Sequence, residues 1–360
     1  MNTQAELVIL PCLDHDDTAQ DCARILVVGD MHFSERSLPL LEALKDGVIR
    51  AIIEHSPHAV VFTGDTLDRF ININSMRLTE ATEFFYTCST LVKIYVLIGN
   101  HDVPLKSGVL STYHGFNAMR HYWHNTVIVD REAIEFACNG FLFRAVAYCP
   151  NGKLQQGLST LPAAAGVAAT FCHQEIKGHK LGYLTGDDGD PWPLGNGLLV
   201  AGHIHLHHYM PATAERDEVL YVGSPYQDNY SESADKSISL LTFTTGSWRE
   251  ERIRLGLARK EHLEMTATQY TAWQPCSNVL YTLEIVGTLS ETSRHTYSDK
   301  TQKLRREGSK VTFSCLKDRT EYFAEESVQQ QASVPLRQHI SDSIRDNPRL
   351  QKVFAKVFAL

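Results

Sequence analysis

Three short apolar runs near the start of the chain alternate with stretches of helical periodicity, and each run leads into a glycine followed by a polar side chain. The runs lie at residues 24–29, 59–63 and 93–98, and the helical stretches at 38–56 and 79–92. This alternation predicts a parallel sheet with right-handed crossovers. Because ligands of open α/β sheets bind beyond the carboxyl ends of the strands, the polar residues after each run are expected to share one crevice.

Five polar segments supply side chains of the kinds that bind metal ions. In chain order they contain Asp30 and His32, Asp65, Asn100 with His101 and Asp102, His173, and His203 with His205. A single Gly-Asp or Gly-His pair usually marks only a turn. Five such segments in this order predict one site with two cations. Asp30, His32 and His205 are expected to bind the first cation, Asn100, His173 and His203 the second, and Asp65 to bridge them.

The predicted ligands mix imidazole, carboxylate and amide groups, which suit Mn²⁺, Fe or Zn²⁺ better than Mg²⁺. Two divalent ions about 3.5–4 Å apart with a bridging carboxylate activate water for attack on a phosphate ester. Phosphate-ester hydrolysis is therefore the expected chemistry. His101 is expected to protonate the leaving oxygen or stabilise the charged transition state, and Asp102 to fix the tautomer of His101.

The pattern changes after the third run. Residues 126–136 and 141–148 are predicted as two strands joined at Asn139-Gly140, a pair typical of hairpins. Further strands are predicted at 198–201, 219–222, 237–242 and 248–255. Together they predict a second sheet stacked on the first, so that residues 1–258 form a two-sheet α/β sandwich.

The remainder predicts a smaller module and a terminal helix. Residues 259–330 are expected to form a small α/β domain with strands at 279–285 and 310–316 and a charged helix at 298–307. Residues 335–360 have helical periodicity, with an apolar stripe of Leu350, Val353, Phe354, Val357 and Phe358. Such a helix either packs on its own domain or binds a partner.

Composition limits the setting. No apolar run approaches the ~20 residues needed to cross a bilayer, and the acidic first 21 residues lack the basic flank of a secretion signal. The eight cysteines form no close pair, which favours a reducing, cytoplasmic location. The net charge of −8 argues against a broadly basic surface, so strong nucleic-acid affinity is expected to come from a partner.

Several other polar residues are interpreted more simply. His121, His124, His179, His207 and His208 are expected to be exposed or to support the ligands from behind. Asp187, Asp188 and Asp190 lack the glycine position and closing glutamate of a calcium loop, so a solvated turn is expected there.

The motifs resemble the calcineurin-like metallophosphoesterase superfamily over residues 25–243. Within it the chain is most similar to the SbcD-type nuclease subunit of DNA-repair complexes, particularly its viral and phage members. The spacing of Asp30, Asp65 and Asn100, the run His-Gln-Glu-Ile-Lys-Gly at 173–178, and the segment at 221–232 carry the resemblance. That last segment looks like the family's Gly-Ser-x-x-Arg-x-Ser-Phe-x-Glu, but Gln227 stands where cellular members have arginine.

The resemblance implies a Mn²⁺-dependent DNA exonuclease or endonuclease that works with an SbcC-type coiled-coil ATPase in DNA repair, recombination or replication, in a bacterial or virus-infected cell. It also implies a capping role for residues 259–330, docking of the ATPase by residues 335–360, and a homodimer. Two alternatives remain open. One is a stand-alone metallophosphodiesterase or phosphatase acting on nucleotides or phosphoproteins, and the other is a metal-free scaffold, against which the complete ligand set counts.

Overall fold

The computed structural model describes residues 22–34, 38–68, 74–103, 112–123, 125–162, 166–181 and 184–315 of the chain. The helices are α1 (Leu38–His55), α2 (Ser75–Leu91), α3 (Leu154–Leu158), α4 (Ala267–Ala272), α5 (Leu289–Thr296) and α6 (Asp299–Arg306). The strands are β1 (Cys22–Val28), β2 (Ala59–Phe62), β3 (Lys93–Leu97), β4 (Thr126–Val129), β5 (Ile134–Cys138), β6 (Phe141–Ala145), β7 (Val167–His173), β8 (Lys180–Leu181), β9 (Leu184–Thr185), β10 (Leu198–Gly202), β11 (His208–Met210), β12 (Val219–Tyr221), β13 (Ile238–Thr244), β14 (Ser247–Ile253), β15 (Arg259–Thr266), β16 (Val279–Gly287) and β17 (Lys310–Cys315).

The first sheet has the order β14-β13-β1-β2-β3-β4, with β1 to β4 parallel. Alternate residues of its central strands enter two different cores, which explains why these strands are apolar almost throughout. Leu26, Val60 and Ile94 pack with helices α1 and α2, whereas Val27, Val61 and Leu97 face the second sheet. Helix α2 begins four residues before the predicted start because Asn74 accepts hydrogen bonds from the amides of Met76 and Arg77.

The second sheet has the order β11-β12-β10-β7-β6-β5, and its inner strands are parallel. Phe143 and Phe171 from this sheet pack against Phe243 from the first, with the Phe143 and Phe243 ring centroids 4.9 Å apart. The Asn139-Gly140 hairpin is present, and both residues have the positive φ that its tight turn requires. The predicted two-sheet α/β architecture is therefore confirmed.

Two details of the strand assignment were wrong. Residues 126–136 form two strands, since β4 pairs with β3 in the first sheet and β5 pairs with β6 in the second. The hairpin of β13 and β14 belongs to the first sheet, where β13 runs antiparallel to β1. Strand β13 has apolar residues on both faces, with Leu241 facing the second sheet and Leu240 the helices, so it fits beside β1.

The described residues form two compact units, and the second contains residues 262–275 and 281–315. Its sheet has the order β15-β16-β17, and Leu283, Ile285, Tyr270 and Leu304 are buried within this unit. The predicted strands and charged helix of this region are present, whereas β15, α4 and α5 were not predicted. The proposed boundaries at 258, 259 and 330 remain predictions, and the segment 335–360 lies outside the described residues.

Among the helices of the described ranges, none combines the length and the apolar character that a bilayer crossing requires.

Candidate metal centre

The predicted ligands lie at the carboxyl ends of parallel strands in both sheets. Asp30, Asp65 and Asn100 follow β1, β2 and β3, while His173 ends β7 and His203 follows β10. The two sheets stack face to face, and the side chains from their carboxyl edges meet in one crevice. The location predicted from the strand pattern is the location observed.

Three of these residues adopt backbone conformations that side chains rarely tolerate. The φ angles are +42° at His32, +48° at Asp65 and +76° at His203. Left-handed backbone at residues other than glycine costs about 1–3 kcal/mol each, and such strain is typical of functional sites. The fold therefore holds these three side chains in place at a cost in stability.

Asp30, His32 and His205 form the first group of potential ligands. The Nε2 atoms of His32 and His205 are 3.0 Å apart. The Nδ1 atom of His205 lies 2.9 Å from a carboxylate oxygen of Glu232. A proton held at Nδ1 by that carboxylate leaves the Nε2 lone pair facing His32, which is the arrangement of a metal-binding imidazole.

Asp65, Asn100, His173 and His203 form the second group. The Asn100 Oδ1 atom is 2.9 Å from both His173 Nε2 and His203 Nδ1, and Asp65 Oδ2 is 3.2 Å from His173 Nε2. The Nδ1 atom of His173 donates to the Thr63 carbonyl at 2.8 Å, so its Nε2 lone pair also faces the other ligand atoms. Four potential ligand atoms thus converge.

Asp65 is shared by the two groups. Its Oδ2 atom is 3.2 Å from His173 Nε2 and 3.9 Å from His32 Nε2, and its Oδ1 atom accepts a hydrogen bond from the His101 amide at 2.8 Å. Gly99 makes this position possible, because a Cβ atom there would lie 2.1 Å from Asp65 Oδ1. This is the position that a bridging carboxylate would occupy.

The electrostatics of the centre favour positive charge beside its carboxylates. Burial lowers the pKa of His32, and burial together with the charge of His173 lowers the pKa of His203 to about 4. Burial opposes the charge on His173, but the carboxylate of Asp65 outweighs it and raises the pKa of His173 to about 9. The carboxylates therefore favour positive charge here, and this mixed donor set suits divalent metal ions.

His101 and Asp102 take different positions in the centre. His101 groups with His32 and Asp65, and its Nδ1 atom lies 2.5 Å from the Asp68 carbonyl oxygen. Asp102 is buried, and its carboxylate accepts hydrogen bonds from the backbone amides of Thr66, Leu67 and Gly99. The contact that orients His101 therefore comes from the Asp68 carbonyl and not, as predicted, from Asp102. Asp102 instead connects the loop after β2 to the loop after β3.

Glu232 and Gln227 acquire roles that the sequence did not reveal. Burial opposes ionisation of Glu232, but hydrogen bonds and charge from His205 and Lys236 lower its pKa to about 2. The Gln227 amide is buried and bonds the Glu232 carbonyl and the backbone of Lys260. Gln227 thus stabilises the segment that carries Glu232.

Tyr148 is a further residue of the centre that the sequence did not reveal. It follows β6 at the same carboxyl edge, and its ring centroid lies 6.1 Å from those of both His173 and His203. Its amide donates to the Ile98 carbonyl at 2.8 Å. Burial, followed by the charge of Asp65, raises the pKa of the Tyr148 hydroxyl. Its position after a parallel strand was the only available signal.

The prediction that Asp190 lies in a solvated turn was wrong. Its side chain is buried and accepts hydrogen bonds from the amides of Gly152 and Leu154 and from the side chain of Gln174. The carboxylate therefore satisfies the amides at the start of α3, which a helix leaves unpaired. His179 is buried as well, and its imidazole contacts Glu175 at 3.1 Å.

Comparison with known proteins places these residues in context. A family model described as calcineurin-like phosphoesterase matches residues 23–207. "Putative phosphoesterase 078R" of Invertebrate iridescent virus 3 is 28% identical, covering 80% of this chain and 83% of that protein. The similarly named 244L of Invertebrate iridescent virus 6 is 28% identical, covering 62% and 77%. A purple acid phosphatase from yellow lupin is 13% identical with a TM-score of 0.42, covering 65% of this chain and 52% of that one.

Proposed function

This chain belongs to the calcineurin-like phosphoesterase family, and on that premise we propose that it is a Mn²⁺-dependent nuclease subunit that hydrolyses phosphodiester bonds of DNA. The observation that carries the proposal is the position of Asp65, whose carboxylate faces both groups of potential ligands. A pair of divalent cations shares a carboxylate in this way when it acts on phosphate esters. Asp30, His32 and His205 would hold one cation, and Asn100, His173 and His203 the other.

When bound, the cations supply Lewis acidity to the phosphoryl group and lower the pKa of water. The side chains of this chain supply orientation and proton transfer. The Asp68 carbonyl accepts a hydrogen bond from Nδ1 of His101, so Nε2 would give a proton to the leaving oxygen from the doubly protonated imidazolium. The carbonyl of Thr63 and the carboxylate of Glu232 hold the His173 and His205 rings in their ligand orientation.

The choice of DNA rests on the resemblance of residues 221–232 to the nuclease subunits. The structure supports a role for this segment, because Glu232 contacts a potential ligand directly. The net charge of −8 agrees with a subunit whose partner contributes most of the DNA affinity. We assign that partner role to an SbcC-type ATPase, docked by residues 335–360, and we expect the nuclease subunit to form a homodimer.

The test is a Mn²⁺-titrated digestion of end-labelled duplex and single-stranded DNA, with bis-p-nitrophenyl phosphate and its monoester as small substrates. Asp65→Ala, purified in the same way, is the blank. Mn²⁺-dependent cleavage of DNA by the wild type, but not by Asp65→Ala, supports the nuclease assignment. Turnover of the small diester with DNA left intact, even after addition of the ATPase, would instead identify a stand-alone phosphodiesterase, and preference for the monoester a phosphatase.

A truncation tests the partner separately. A chain ending before Leu336 should still hydrolyse bis-p-nitrophenyl phosphate, because every potential ligand precedes that residue. It should no longer co-purify with the ATPase. Co-purification that survives the truncation would show that residues 335–360 do not dock the partner.

A further inference from the structure

Among the described residues, two polar side chains of the segment at 224–236 are already committed to other groups of the protein. Lys236 is the cation that contacts the His205 backbone, but its ammonium group already bonds Glu232, Ser224 and the His205 carbonyl. The side-chain amide of Gln227 is also committed, because it donates to the backbone carbonyls of Glu232 and Lys260. Within this described segment, neither side chain is free to donate to a phosphate.

Tyr148 is held rigidly beside the second group of ligands. Its amide is bonded to Ile98, and the amide of the next residue, Cys149, donates to the buried side chain of Gln174. The ring stands edge-on to His173 and is tilted by 35° over His203. Backbone bonds on both sides and two ring contacts therefore fix the direction of the phenol.

The hydroxyl group of Tyr148 is not among the fully buried polar atoms, and it makes no hydrogen bond to the described residues. The residue as a whole is only partly buried. A fixed phenol whose ring lies beside His173 and His203 is a suitable donor to an anionic oxygen bound there, since hydrogen bonds to charged groups are the stronger ones.

We propose that the Tyr148 hydroxyl donates a hydrogen bond to a non-bridging phosphoryl oxygen of the substrate, on the side of Asn100, His173 and His203. This inference rests on the proposed phosphodiesterase function and adds a residue that contacts the substrate. The contact exists before and during the reaction, so its loss affects substrate binding more than turnover.

The test compares Tyr148→Phe with the wild type in Mn²⁺-loaded protein. Calorimetric titration with inorganic phosphate and the KM for bis-p-nitrophenyl phosphate should both show binding weakened by about tenfold, as expected for one hydrogen bond to a charged group. The kcat and the bound Mn²⁺ should be unchanged. Tyr86→Phe, an exposed residue of α2, is the matched control and should change nothing.

The other outcomes overturn the inference. Phosphate affinity and KM equal to those of the wild type would show that the hydroxyl does not contact the phosphoryl group. Loss of Mn²⁺ in Tyr148→Phe would assign the residue to support of the ligands. If the wild type binds phosphate but hydrolyses no diester, the proposed function fails, while the phosphate titration still decides the role of Tyr148.

Discussion

The carboxylate of Glu232 lies 2.9 Å from Nδ1 of His205, on the opposite side of the imidazole from His32. Lys236 forms an ion pair with the same carboxylate at 2.7 Å. Glu232 therefore sets the tautomer and the direction of a potential ligand without reaching the centre itself. A carboxylate behind a metal-binding histidine also makes the imidazole a better electron donor.

Replacing Glu232 by Gln should weaken binding of the cation held by Asp30, His32 and His205. Loss of such a partner costs about 10–100-fold in metal affinity. Calorimetric titration with Mn²⁺ measures the effect, with the exposed Glu215→Gln as the control. Unchanged affinity in Glu232→Gln would mean that the hydrogen bond to His205 does not support metal binding.

Replacing His101 by Ala should separate chemistry from metal binding. His101 meets the shared carboxylate of Asp65 through its backbone amide, which alanine retains. The bound Mn²⁺ should therefore stay at the wild-type level while turnover of bis-p-nitrophenyl phosphate falls by about 10²–10⁴-fold, the usual contribution of a general acid. A variant that loses metal along with activity would place His101 among the ligands.

Asp130 should make the first sheet sensitive to acid. Burial would raise the pKa of Asp130, but hydrogen bonds from His114 and Arg120 outweigh it and lower the pKa. The pKa is thus lower in the folded state than the value of about 3.9 in the unfolded chain. The stabilisation is complete above that value and is lost as pH falls through the folded pKa.

The variant Asp130→Asn should therefore lose about 1–3 kcal/mol at neutral pH and show a weaker dependence of stability on acid. Urea unfolding at several pH values measures both, with exposed Glu83→Gln on α2 as the control. Equal loss of stability at neutral pH and below the folded pKa would contradict the assignment to ionised Asp130.

Replacing Gly99 by Ala should displace the shared carboxylate. The new methyl group would overlap Asp65, so the variant should lose Mn²⁺ affinity together with about 1–3 kcal/mol of stability. Gly140→Ala is the matched control, because its Cβ meets no atom within 4 Å and only backbone strain is expected. If Gly99→Ala binds Mn²⁺ as the wild type does, Asp65 does not require its observed position.

The sequence predicted the first three strands and the place of their ligands because both signals are local. Each apolar run and the polar residue after it lie within a few positions, and parallel strands bring such residues to one edge. Which sheet a hairpin joins depends on contacts between residues that are far apart in the sequence. The pairing of Ile25 with Leu241 has no signature near either residue, so β13 was assigned to the wrong sheet.

Residues that support the ligands were harder to predict for a related reason. Glu232 and Tyr148 contact His205 and His173 only because distant segments meet at the same edge. The residues at 130–133 contain no glycine or proline, so the crossing from one sheet to the other between β4 and β5 had no turn signal. Asp190 resembled a solvated loop residue because the groups that donate hydrogen bonds to its carboxylate lie up to 38 positions away in the sequence.

The most direct test of the two-cation account is the amount of Mn²⁺ bound by the wild type and by Asp65→Asn, measured by elemental analysis beside turnover of bis-p-nitrophenyl phosphate. The account predicts about two ions per wild-type chain, at most one in the variant, and no measurable turnover without the shared carboxylate. A variant that retains both ions and hydrolyses the diester at the wild-type rate would contradict the assignment of Asp65 as the bridge.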